Sequence, residues 1–93
     1  MVASAALKSC PTPRSFTVGP FFADQLRARG VSCRKARTVA KRWGNCRFSG
    51  RNDRVCRVRG RYVCRYRDIR GFEGGRTTCK AGTSRAVGFR WGS

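Results

Sequence analysis

The chain predicts an α+β fold: one amphipathic helix over about residues 32–43, packed on a small antiparallel sheet of three to four strands and stapled by disulfides. Three observations carry this. Residues 32–44, SCRKARTVAKRWG, are the only strongly helix-periodic stretch. From residue 61 onward, short runs alternate with period two and are broken by Gly-rich turns. Six cysteines fall in 93 residues, none of them in a C-x-x-C pair and with no histidine in the chain, which fits disulfides and argues against zinc.

Taken in order, residues 1–9 read as a flexible N-terminus or a signal-peptide remnant. Ala3-Ser4-Ala5 has the form of a signal-peptidase site, but no charged leader or full apolar segment precedes it. Residues 10–92 then form a single disulfide-rich basic domain. The run 8–20 holds all three prolines and is extended or turn-rich, with Phe16-Thr17-Val18 a short strand. Phe21, Phe22 and Leu26 can start a helix, yet Leu26 and Ala28 alternate with Arg27 and Arg29. A strand at 25–29 leading into the central helix is the preferred reading.

The helix itself is marked at both ends. Ser32 can cap the free N–H groups of the first turn, Gly44 can take a left-handed conformation after the last, and Lys41 and Arg42 suit the negative end of the dipole. Cys33, Ala36, Val39, Ala40 and Trp43 share one face, and Arg34, Lys35, Arg37, Lys41 and Arg42 share the other. A helix of about three turns is marginal alone in water, so its apolar stripe needs a platform.

Residues 45–53, NCRFSGRND, have loop chemistry. Beyond them Tyr62, Cys64 and Tyr66 alternate with Arg61, Val63, Arg65 and Arg67, Cys79 sits in RTTCKAG, and Val87, Phe89 and Trp91 alternate with Ala86, Gly88 and Arg90. The connections are short, so the three strands are antiparallel neighbours. Tyr62, Cys64, Tyr66, Cys79, Val87, Phe89 and Trp91 take the helix on one side. Arg61, Arg65, Arg67, Lys80 and Arg90 face water as a cationic plane.

Six cysteines allow 15 connectivities, and the sequence leaves the choice open. Strand adjacency favours Cys64–Cys79, local closure favours Cys46–Cys56, and Cys10–Cys33 would then pin the proline-rich arm to the first helical turn.

Charge is the loudest feature: 22 Lys plus Arg against four acids, a net +18. Arginine-biased codon usage would raise Arg over Lys without any ligand, but it would not make acids scarce. Such a surface attracts polyanions, and Arg binds phosphate in two-point fashion.

The pattern of an N-terminal Cys, then RARGVSCRKARTVAKRW, GRYVCR, TTCKAG and AVGFRW resembles small secreted actinobacterial Cys-rich domains of unknown function. These share a Gly-Val-Ser-Cys-x-x-Ala-Arg helix start, a Gly-aromatic-x-Cys strand and a final Cys-containing hairpin. The resemblance covers Cys10 and residues 26–92. It matches Cys10, Cys33, Cys64 and Cys79, and leaves Cys46 and Cys56 as an additional local pair. It implies location and fold, and no chemistry.

Composition narrows the function classes. Without histidine, and with acids only at Asp24, Asp53, Asp68 and Glu73, neither a Ser-His-Asp nor a metal mechanism is built; no cofactor or metal is expected. A small basic ribonuclease using Tyr62, Tyr66, Arg65, Lys80 and Arg90 is the one remote enzyme reading. The glycines at 71, 74 and 75 lack the frame of a nucleotide loop. No run approaches the ~20 apolar residues of a membrane span.

The expectation is therefore a secreted, non-catalytic, cationic domain. It would contact polyanions, such as nucleic acid or an anionic wall polymer, through Arg34, Lys35, Arg37, Lys41, Arg42, Arg61, Arg65, Arg67, Lys80 and Arg90. The alternative is a subunit of an extracellular assembly with an acidic protein partner.

Overall fold

The computed structural model describes residues 7–10, 16–18, 21–48, 55–58, 61–71 and 73–92. Residues 1–6 of the expected flexible N-terminus or signal-peptide remnant (1–9), and residues 49–53 of the expected loop (45–53), lie outside the described residues. One helix packs on one face of an antiparallel sheet, as expected, but the sheet has seven strands rather than three to four.

The strands are β1 (Lys8–Ser9), β2 (Phe16–Val18), β3 (Phe21–Arg29), β4 (Val55–Val58), β5 (Tyr62–Asp68), β6 (Gly74–Ala81) and β7 (Arg85–Gly92), with helix α1 (Cys33–Arg47) between β3 and β4. They lie in the order β1-β3-β7-β6-β5-β4, and β2 also pairs with β3. The additions to the expected sheet are the short strands β1 and β4 and the full length of β3, which begins four residues before the expected start at 25.

Strand β3 is hard to read because it carries a bulge. Asp24 pairs with Arg90 and Arg27 with Gly88, so Gln25 and Leu26 together oppose Phe89. Gln25 has φ 52°, a left-handed backbone unusual for a residue with a side chain. The extra residue reverses the parity of the strand: Ala23 is buried before it, and Leu26 and Ala28 after it.

Helix α1 starts as expected. Ser32 accepts a hydrogen bond from the Lys35 N–H at 3.2 Å. Its end is a correction: the helix runs through a buried Gly44 to Arg47, with Phe48 N–H donating to the Gly44 carbonyl at 3.0 Å. A further turn is favoured because it carries Cys46 to its bridge with Cys56 and lets Phe48 join the core. Lys41 and Arg42 are consequently mid-helix, and only Arg47 stands in the last turn.

The core lies between α1 and the sheet. Trp43 is fully buried, with ring centroids 5.3 Å from Phe89, 5.4 Å from Trp91, 5.7 Å from Phe48 and 6.0 Å from Tyr66. Most of these pairs meet edge to face, the arrangement that ring quadrupoles favour. The Trp91 indole N–H donates to the buried Thr77 hydroxyl at 3.0 Å. Gly75 makes room for this cluster, since a Cβ there would come within 2.4 Å of the Arg67 carbonyl oxygen and 3.0 Å of the Trp91 ring.

All six cysteines are bridged, as Cys10–Cys33, Cys46–Cys56 and Cys64–Cys79. The first ties the segment after β1 to the first turn of α1, and the second ties the last turn of α1 to β4. The helix is thus fastened at its two ends to opposite edges of the sheet. The third joins directly opposed residues of β5 and β6. Bridges of this kind suit a domain too small to be held by its core alone. No helix among the described residues is long and apolar enough to cross a membrane.

Candidate polyanion interface

Because α1 covers the inner face, side chains of opposite parity on β5, β6 and β7 form an outer face. Register places Arg67, Arg76, Arg90 and Asp24 side by side across four strands, β5, β6, β7 and β3. Arg65 and Thr78 form the neighbouring row, and Lys80 stands beyond it. Neighbouring strands lie about 4.8 Å apart, and like charges directly opposed across them repel.

The bulge in β3 organises this row. It sends Asp24 toward Arg90 on the adjacent β7 and Gln25 across β7 toward Arg76 on β6. Asp24 accepts two hydrogen bonds from Arg90, at 2.9 Å from Nε and 2.5 Å from Nη2. Gln25 Oε1 accepts one from Arg76 Nη2 at 2.7 Å. The Asp24 hydrogen bond, and secondarily its charge, raises the Arg90 pKa above its ordinary value. Two of the three guanidinium groups are therefore held by a side chain of β3, and Asp68 brings a second carboxylate to the end of the row. Shallow depressions adjoin the row: one of about 260 Å³ is bounded by Arg65, Arg67, Arg76 and Thr78, and one of about 440 Å³ by Arg67, Asp68, Arg76 and Arg90.

The ten expected contact residues do not form one surface. Arg65, Arg67, Lys80 and Arg90 share the outer sheet face, with Arg90 about one third exposed. Arg34, Lys35, Lys41 and Arg42 are exposed on α1, and Arg37 is half-buried there, on the opposite side of the domain. Arg61 stands at the turn before β5 with φ 65°, outside both groups. The outer face is also not a continuous cationic plane. Ala86 and Gly88 of β7 are buried, and Leu7 Cδ1 lies only 3.4 Å from where a Cβ on Gly88 would be. An apolar strip thus separates the arginines of β5 and β6 from Arg27 and Arg29 of β3.

Sequence reasoning missed Arg76, Asp24 and Gln25 because only strand register and the bulge bring them together. The five residues of the ribonuclease reading are likewise divided. Tyr62 and Tyr66 lie on the inner face, and Arg65, Lys80 and Arg90 on the outer.

A second concave feature lies on the helix side. A groove of about 610 Å³ runs between α1 and the starts of β5 and β7, which flank the end of β6, bounded by Lys35, Thr38, Val39 and Arg42 on one wall and Tyr62 and Arg85 on the other. The Arg85 guanidinium carbon sits 5.7 Å from the Tyr62 ring centroid. Among the described residues no cluster of His, Cys, Asp or Glu has the makings of a metal site.

No family model, no curated protein and no solved structure matches the chain.

Proposed function

We propose that this chain is a secreted, non-catalytic module that binds polyanions, such as nucleic acid or an anionic wall polymer, through the arginine row of its outer sheet face. The observation that supports this best is the in-register run Arg67–Arg76–Arg90, two of whose members are held in place by Asp24 and Gln25. Packing three guanidinium groups across adjacent strands costs stability that a bound polyanion offsets by neutralising them. Arg65 and Lys80 widen the same surface. The net charge of +18 adds long-range attraction, which speeds encounter without sequence preference. The three disulfides fit an oxidising compartment outside the cytosol.

The test is fluorescence anisotropy with labelled single-stranded DNA, duplex DNA and heparin at low ionic strength. All three are expected to bind, and each to weaken by orders of magnitude between about 50 and 200 mM salt. Failure to bind any of them, together with capture of a defined acidic protein, would overturn the reading in favour of a protein-assembly role.

A further inference from the structure

The groove on the helix side carries a discrete chemistry of its own, beyond general attraction to polyanions. Its volume of about 610 Å³ lies in the ordinary range for small-ligand sites. Lys35, Arg42 and Arg85 bring three cations to its walls, and among the described residues no carboxylate lines it. Val31 and Val39 give it apolar surface, and Arg85 over the Tyr62 ring forms a flat cationic plate. The walls are set by the backbone. A Cβ on Gly30, where φ is +67°, would come within 2.2 Å of the Ser84 carbonyl oxygen, so the connection into α1 is pressed against the β6–β7 turn.

These features select a ligand with two unlike parts. A bare anion would leave the apolar wall unused, and an apolar molecule would leave three cations without counter-charge. A planar ring can lie on the exposed face of the Arg85 guanidinium while an anionic group reaches Lys35 and Arg42. We propose that this groove binds a nucleoside monophosphate unit, its base on the exposed Arg85 guanidinium, which the buried Tyr62 ring backs, and its phosphate toward Lys35 and Arg42.

The test is calorimetric titration of the full, oxidised chain with AMP, adenosine and ribose 5-phosphate. AMP is expected to bind at least about tenfold more tightly than either part, the scale of one stacked base. Arg85→Ala is expected to weaken AMP binding about tenfold, and Arg42→Ala and Lys35→Ala several-fold each. These side chains are exposed, so near-UV circular dichroism should be unchanged. Arg67→Ala/Arg76→Ala should leave AMP binding intact.

A single-stranded oligonucleotide that displaces AMP identifies the ligand as an unpaired nucleotide of a strand; AMP binding without displacement identifies a free nucleotide, and either supports the site. Equal affinity for AMP and ribose 5-phosphate, wild-type affinity in Arg85→Ala, or no AMP binding at millimolar concentration overturns it. Heparin binding separates this outcome from the polyanion reading, since heparin offers charge without a base.

Discussion

The two faces of the sheet are made by alternate residues of the same strands, yet they are held by different physics. On the inner face Tyr66, Phe89 and Trp91 close around Trp43, and the Cys64–Cys79 bridge locks β5 to β6 beside them. On the outer face Arg67, Arg76 and Arg90 stand in a row, with Asp24 holding Arg90 and Gln25 holding Arg76. The inner face stabilises the fold, whereas the outer face holds like charges close together at a cost. A surface kept charged at the expense of stability points to a task other than folding.

Changes on the inner face should be the most damaging. Trp43→Ala removes the ring around which the cluster is built and is expected to cost about 3–5 kcal/mol in denaturant melts. For a small domain that is most of the stability, so the variant should be largely unfolded at 37 °C. Replacing Cys64 and Cys79 together by Ala opens a link with a sequence separation of 15. It should lower stability by about 3 kcal/mol, read as a shift in the unfolding midpoint.

The outer face should respond in the opposite sense. Asp24→Asn keeps an acceptor for Arg90 and removes the carboxylate paired with it, so heparin affinity is expected to rise about two- to fivefold in a binding titration. A fall in affinity would mean that the ion pair orients Arg90 for the ligand more than its charge repels it. The smallest expected effect is that of pH. The row is made of arginines, Arg90 is held still more firmly protonated by Asp24, and the chain has no histidine. Heparin affinity should therefore stay within about twofold between pH 5 and 9.

The same contrast explains what could be read from the sequence. Period-two alternation placed Tyr62, Cys64, Cys79, Val87, Phe89 and Trp91 together; strand adjacency favoured Cys64–Cys79 and local closure Cys46–Cys56, which left Cys10–Cys33, and these are the three bridges. Local patterns report local structure. The bulge at Gln25 was hidden because its left-handed residue is not a glycine, and it broke the alternation that would have revealed the start of β3. Gly44 resembled a helix stop, but tertiary contacts carried the helix past it.

The site was less legible than the fold because register assembles it. Arg76 meets Gln25 across 51 residues, and Arg90 meets Asp24 across 66. No spacing rule reaches that far. Charge counting found Arg65, Arg67, Lys80 and Arg90, but it could not separate them from the cations of α1 on the other side of the domain.

The slope of log affinity against log salt for duplex DNA, compared between the native chain and Arg65→Ala/Arg67→Ala/Arg76→Ala, tests the central claim most directly. The triple variant should fold normally and show a slope shallower by about two to three, because up to three phosphate contacts and their released counterions are gone. An unchanged slope would place the contact elsewhere and contradict the assignment of the outer face.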